Sequence, residues 1–377
     1  MNTFSSVTKL EERIVLSATQ KQIPLGGAFE LLPLCNMDCR MCFLRLTPEE
    51  MKQQGRLRTA DEWLDLASQA QKAGLLFLLL TGGEPFLYPE FKKLYEGLCK
   101  LGLIITINSN GTLITEEYAD LLAMHKPRRV NITLYGSSDE VYARLCGNPH
   151  GFTQTMKAIH LLKSRNIDVK LNGSLTKINQ HDMENIQRIA RELDLFLEMD
   201  SYMFPCARKG SSPFDNDSRL TPLEAAEKLV KIKKNELSSD RFDALCHGMS
   251  LCHQHATELN ITLPPEEMSC RAGRSSFWIN WKGNMTPCVF METPAIPVFD
   301  KGFDQSWEYI KAERKKLFLP SKCTSCMKRP FCSVCTASVL TETGDTKEAP
   351  QYMCDLTTET LRLMHELHMQ SQIKPSD

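Results

Sequence analysis

The chain has 377 residues, 42% hydrophobic and 24% charged, with 45 basic against 46 acidic side chains and a formal net charge of −1. That length exceeds what one hydrophobic core usually supports, so more than one domain is expected, and the balanced charge argues against a nucleic-acid partner. No apolar run approaches the roughly 18 residues of a membrane span, and MNTFSSVTKLEERIVL lacks the basic start and apolar middle of a signal peptide, so no membrane partner and a cytoplasmic location are expected.

GAFELLPL (27–34) reads as a first strand running straight into LCNMDCRMCF (34–43). A capping box, T-A-D-E from Thr59, starts a helix over WLDLASQAQKA. LLFLLL (75–80) is fully apolar and reads as a buried parallel strand ending at TGGEP. A helix over 88–100, a strand LIITINS (103–109), a helix near 115–124 and a strand VNITLYG (130–136) follow. A helix near 152–165, a strand DVKLNGSL (168–175), a helix over about 182–193 and a strand LFLEMD (195–200) complete six βα-like repeats. The expected fold class is α/β, with a partial (β/α)6 barrel, three-quarters of an eightfold one.

After an N-terminal segment (1–25) and the barrel (26–200), a connector (201–265) begins irregularly with PCARKGSSPFDND. It turns helical at T-P-L-E (221–224), a second capping box. Beyond 266 cysteines replace the periodic pattern, which marks a small metal-stapled domain over 266–360 and a C-terminal helix or tail over 361–377. The basic runs KPRR (126–129) and KIKK (231–234) read as solvated ends of elements.

Fifteen cysteines are an odd count, and a reducing compartment does not favour disulfides, so metal ligation is the expected use. Cys35, Cys39 and Cys42 form one knot. Cys270, Cys288, Cys323, Cys326, Cys332, Cys335 and Cys354 crowd the last third. A closed zinc site wants four ligands, whereas three thiols at C-x3-C-x2-C suit a four-iron cluster that leaves one iron free for substrate or cofactor.

Here the sequence resembles the radical S-adenosylmethionine (SAM) superfamily, whose C-x3-C-x2-C loop precedes an aromatic and follows the first strand of a partial TIM-like barrel. Cys35, Cys39, Cys42 and Phe43 match that motif. The resemblance implies a [4Fe-4S] cluster that binds SAM at its open iron and cleaves it to a 5′-deoxyadenosyl radical, which abstracts hydrogen from the substrate. Gly82, Gly83 and Glu84 match the family's GGE motif, which holds the SAM amine. SNGT (109–112) resembles its T-N-G-T, with Ser109 as the match. NITLYG resembles its fourth-strand I-S-L-D-G, which puts Thr133 near the SAM ribose, with Tyr135 standing where the family has Asp. Asn172 is expected to reach the SAM carboxylate.

From Cys270 the pattern C-x12-G-x4-C, then C-x2-C-x5-C-x2-C and finally Cys354 resembles the SPASM extension, which holds two auxiliary [4Fe-4S] clusters. The resemblance assigns Cys270, Cys288 and Cys335 to the first and Cys323, Cys326, Cys332 and Cys354 to the second. Cys332 and Cys335 are separated by two residues where the family has three, and the first set has only three thiols. It therefore keeps an open iron or takes a non-cysteine ligand. By itself C-x2-C-x5-C-x2-C would equally make a zinc ribbon.

Asp200 and Tyr202, just past the sixth strand, are candidates for substrate contact or proton removal, since barrel chemistry sits at the C-terminal ends of strands. Cys146 and Cys206 are candidate hydrogen donors. CHGMSLCHQH (246–255) gathers further soft ligands, but its thiols lie six apart, wrong for one helical face, so it reads as packing. Met353 and Met364 read the same way.

The leading expectation is an enzyme that oxidatively modifies a peptide or protein, by a thioether or carbon–carbon link, with an electron donor such as flavodoxin or ferredoxin. Only 34 residues precede Cys35, so either a separate protein is expected to grip any leader sequence or the barrel and extension bind the substrate alone. The alternatives are oxidation of Cys or Ser as in sulfatase maturation, chemistry on a small carbohydrate, and a non-catalytic iron–sulfur or zinc protein.

Overall fold

The computed structural model describes residues 9–205, 218–255, 268 and 270–373. Cys206 lies outside the described residues. Six parallel strands form the barrel wall: β1 (Gly26–Glu30), β2 (Phe77–Thr81), β3 (Ile104–Ser109), β4 (Arg129–Thr133), β5 (Val169–Ser174) and β6 (Phe196–Asp200). They lie in chain order, each parallel to the one before it. The sequence periods predict each of these strands, and the helices Ala60–Lys72, Phe91–Lys100, Glu116–Met124, Gly151–Ser164 and Met183–Glu192 between them.

The sheet does not stop at β1. A strand from the cysteine-rich region, β7 (Ser276–Ile279), pairs parallel to β1, and β8 (Asn284–Thr286) and β9 (Ile296–Pro297) extend it antiparallel. Gly27 makes the first junction possible, because a Cβ there would lie 2.2 Å from the Phe277 ring. The sheet is thus continuous across the boundary that the fading periodicity suggests near 266.

Local capping explains where helices begin. Thr59 and Glu62 form the expected capping box, as do Thr221 and Glu224 ahead of the helix Pro222–Glu236. Thr47 and Glu50 form a third, which starts the short helix Pro48–Gln54 just after the triple-cysteine loop. The helix Asp139–Cys146, capped by Ser138 and closed by left-handed Gly147, is too short to show a clear period in the sequence. The C-terminal helix, expected from 361, begins at Gln351, so Cys354 sits in its first turn. It packs against Pro222–Glu236 and Ser239–His255 through Val230, Phe242, Cys246, Leu361 and Met364. Met353 and Met364 are both buried, as packing residues should be. Among the described residues no helix is long and apolar enough to cross a membrane.

Trp63 is fully buried and ties the barrel to the added strands, with its ring 4.7 Å from Phe29 on β1 and 5.3 Å from Phe299 beyond β9. Trp63→Ala should lower stability by about 3–5 kcal/mol through lost burial and an unfilled cavity. An unchanged urea midpoint would show that this contact does not bear on the fold.

Candidate functional site

The triple-cysteine loop is pinned at several points along its length. Met37 and Met41 are buried in the core. The Asp38 and Arg40 amides donate to the carbonyls of Cys146 and Leu145, at the end of the helix Asp139–Cys146. Two further amides point at sulfur, from Met37 to Cys35 at 3.4 Å and from Arg45 to Cys42 at 3.3 Å. Burial pushes the Cys35 thiol up to about 12 and the Cys42 thiol up to about 11. Cys39 is raised well above its ordinary value, by a hydrogen bond with the Cys146 thiol and by burial, against a lowering bond from the Tyr135 hydroxyl. These thiols ionise when a cation takes them, which releases protons, and amide donors aimed at sulfur favour the thiolate.

The end of β2 approaches this loop with no room for side chains. A Cβ on Gly82 would lie 2.6 Å from the Leu32 carbonyl oxygen, and one on Gly83 would lie 2.2 Å from that of Leu34. Their closeness lets the Gly83 and Glu84 amides donate to the carbonyls of Leu32 and Leu34. Glu84 is fully buried. Its carboxylate accepts from the Ser109 hydroxyl at 2.9 Å, the Asn110 amide at 2.8 Å and the Phe86 amide at 3.2 Å, so it staples the end of β2 to the end of β3. Asn110 carries the link onward, donating to Cys35 sulfur at 3.6 Å and to Asn36 at 3.0 Å.

Above the strand ends lies a cavity of about 560 Å³. It brings together Cys35, Cys39, Cys42, Phe43, Gly82, Gly83, Ser109, Thr133, Asp200 and Tyr202 from the sequence-derived set. Glu84 and Asn172 do not line it. Asn172 lies one step deeper on β5 than Ser174, which does. The wall carries six aromatic rings, from Phe43, Tyr135, Tyr202, Phe204, Trp278 and Phe290, and among the described residues no lysine, arginine or histidine.

Phe290 stacks on Phe204 at 3.9 Å and meets Phe43 at 5.3 Å, so the cysteine-rich region closes one side of the barrel mouth. Asp200 is an exposed residue that lines this cavity. Burial raises its carboxyl above the ordinary value, although the Tyr202 and Ser201 amides oppose the shift. Tyr202 donates to Glu342 at 2.9 Å, and Glu342 pairs with Arg219 in a nearly buried bridge.

The late cysteines divide in space. Cys323, Cys326, Cys332 and Cys354 ring one opening of about 250 Å³. Cys288 and Cys335 pack around another small cluster with Met268, Ala272 and Met291. Cys270 is exposed two residues from Ala272, and buried Arg314 donates to the carbonyls of Ala272 and Met268 on either side of it. Among the described residues no three His, Cys, Asp or Glu side chains converge closely enough to hold a single metal ion.

Asn110 and Tyr135, which lie within the SNGT and NITLYG matches, join the site, as do Cys146, a candidate hydrogen donor in the sequence, and Glu30, which no motif singles out. Glu30, fully buried at the cavity wall, accepts from the Trp278 indole at 3.0 Å. A polar residue at a strand end was the only signal available for Glu30.

Residues 29–193 match the Radical SAM superfamily. The barrel is a radical SAM domain, and the chain that carries it is an enzyme. Over 341 residues it is 25% identical to an AdoMet-dependent heme synthase of Methanosarcina barkeri, a match that spans 86% of this chain and 95% of that one. Among solved structures, native anSMEcpe with bound AdoMet is similar with a TM-score of 0.68 at 18% identity, over 93% of this chain and all of that one. Streptococcus suis SuiB bound to precursor peptide SuiA is similar with a TM-score of 0.64 at 17% identity, over 94% of this chain and 83% of that one. At these identities the structural likenesses establish the fold.

Burial holds the Glu84 carboxyl up at about 7, against three hydrogen bonds that lower it. Between about 4.5 and 7 the folded chain therefore keeps a proton there that the unfolded chain has lost, and this group's contribution to stability falls as pH rises through that window. The stability advantage of wild type over Glu84→Gln should shrink from pH 5 to pH 8, by about 3 kcal/mol at most. Parallel urea-unfolding curves for the two proteins would contradict this assignment.

Proposed function

We propose that this enzyme uses SAM to abstract hydrogen from a side chain of a peptide or protein and leaves the substrate oxidised, as in a thioether or carbon–carbon link. In this reading Cys35, Cys39 and Cys42 hold the [4Fe-4S] cluster. Cys323, Cys326, Cys332 and Cys354 hold one auxiliary [4Fe-4S] cluster, and Cys270, Cys288 and Cys335 the other. When bound, the first cluster and SAM supply a hydrogen-abstracting radical, and the auxiliary clusters supply an electron acceptor.

The donor sets suit that role. A tetrahedral zinc with bonds of about 2.3 Å would draw its sulfurs to about 3.8 Å of one another. Four thiols around an opening suit ligands on separate irons better.

The chain's own residues would then divide the work. Met37 and Arg45 amides and the Asn110 carboxamide donate to the cluster sulfurs, which favours the thiolate. Gly82, Gly83, Ser109 and Thr133 present the narrow polar side of the cavity to SAM. Phe204, Phe290 and Trp278 bound the substrate side and keep water out. Asp200 takes the proton released when the substrate is oxidised, its raised carboxyl being a better-matched base than an ordinary one. Tyr202, anchored to Glu342, fixes the Asp200 loop.

The carrying observation is the cavity wall, which is aromatic and apolar with two acids and, among the described residues, no base. A neutral or cationic peptide side chain fits such a wall. The match to a heme synthase over 86% of the chain favours a second reading, in which a tetrapyrrole is the substrate. Its carboxylate side chains would find no cationic partner among the described lining residues.

Reconstituted protein, given reductant and SAM, should release 5′-deoxyadenosine, and Cys39→Ala should abolish that release. Iron should approach about twelve atoms per chain for three cubanes, and fall by about four in Cys323→Ala/Cys354→Ala. Asp200→Asn should still release 5′-deoxyadenosine while product formation drops by about 10²-fold or more. Incubation with a panel of cysteine-containing peptides should yield a product lighter by two hydrogens. Turnover of an iron porphyrin carrying propionates, with all peptides inert, would move the assignment to the second reading.

A further inference from the structure

The segment CHGMSLCHQH, which reads as packing in the sequence, lies in the helix Ser239–His255 and faces the C-terminal helix Gln351–Ile373. Its thiols do pack. Cys246 is buried with its sulfur 3.4 Å from that of Met364, and Cys252 donates to the Met327 carbonyl. Its histidines do something else. The facing stretch HELH (365–368) supplies two more imidazoles, and the two helices run antiparallel, so the rings meet in a seam above the Cys246–Met364 contact. His247 Nδ1 lies 3.3 Å from His368 Nε2, with ring centroids 5.0 Å apart and planes tilted by 55°. One turn further on, His365 Nδ1 is 2.8 Å from the Ser250 hydroxyl, and His253 stacks on His365 at 5.0 Å.

We propose that His247 and His368 form a two-histidine site for a zinc-class divalent ion that clamps the helix Ser239–His255 to the C-terminal helix. A separation of 3.3 Å is long for a hydrogen bond between ring nitrogens. It matches the roughly 3.3–3.4 Å between two nitrogens that each sit about 2.0–2.1 Å from one tetrahedral ion. Imidazole is the ligand that zinc-class ions favour.

The pair is held in place before any ion arrives, because the packed contacts of Cys246, Met249, Leu361 and Met364 beneath it fix both helices. His247 is exposed and His368 half-buried, so water can complete the coordination. The described residues bring no third His, Cys, Asp or Glu to the point where an ion would sit. Such a site is exchangeable rather than closed. Its position gives it a consequence, since the C-terminal helix carries Cys354 in its first turn. The ion would therefore stiffen the helix that presents one of the late thiols.

The test uses the full chain with its thiols loaded with iron and sulfide, so that they do not compete, and zinc chloride as the probe at pH 7.5. The expected result is one added zinc per chain, with only nitrogen or oxygen neighbours by zinc-edge X-ray absorption. A rise of a few degrees in melting temperature should accompany it. His247→Ala, His247→Gln and His368→Ala should each lose the zinc and the rise, while His253→Ala keeps both. Sulfur neighbours on the zinc, zinc retained in both the His247 and His368 variants, or no zinc on the wild-type chain would overturn the proposal.

Discussion

The close approach of two backbones governs the rest of the site. The end of β2 lies against the triple-cysteine loop at a distance only glycine tolerates, since a Cβ at Gly82 or Gly83 would overlap the carbonyls of Leu32 and Leu34. The contact creates two amide-to-carbonyl bonds that fix the loop on the strand end. It also turns Glu84 inward, where it gathers Ser109, Asn110 and Phe86. The loop is therefore positioned by buried backbone rather than by flexible side chains, the condition under which three thiols stay arranged before they have a ligand.

A second constraint closes the cavity. β7 can lie beside β1 because Gly27 leaves space for Phe277, and the strands that follow carry Phe290 over the barrel mouth. The cysteine-rich region is thereby a wall of the site as well as a holder of thiols. The Arg219–Glu342–Tyr202 bridge links the same region to the loop after β6. Breaking one partner of so buried a pair leaves an uncompensated charge, so this link holds the two regions in fixed relation.

The chemistry of the wall then selects. Six rings and two acids, with no base among the described lining residues, disfavour a polyanion and tolerate a neutral or cationic side chain. This bears on the contrast between the heme synthase that matches 86% of the chain and the peptide-bound structure that shares its fold. Both matches run over more than four-fifths of this chain, so only the lining residues speak to the substrate.

The sequence by itself determined what depends on local period and short spacing. The six βα repeats, two capping boxes, the C-x3-C-x2-C loop and the glycine pair after LLFLLL were all legible, because each is written within a dozen residues. Only the tertiary structure decided which distant residues meet. The resemblance already groups Cys354 with Cys323, Cys326 and Cys332, and the start of the C-terminal helix at Gln351 is what carries Cys354 to the opening they line. Glu84 turns from the cavity to staple β2 to β3, Asn110 and Cys146 reach the cluster loop, and HELH comes to face CHGMSLCHQH. These juxtapositions rest on sheet register and helix packing between segments tens to hundreds of residues apart, which no single stretch of sequence encodes.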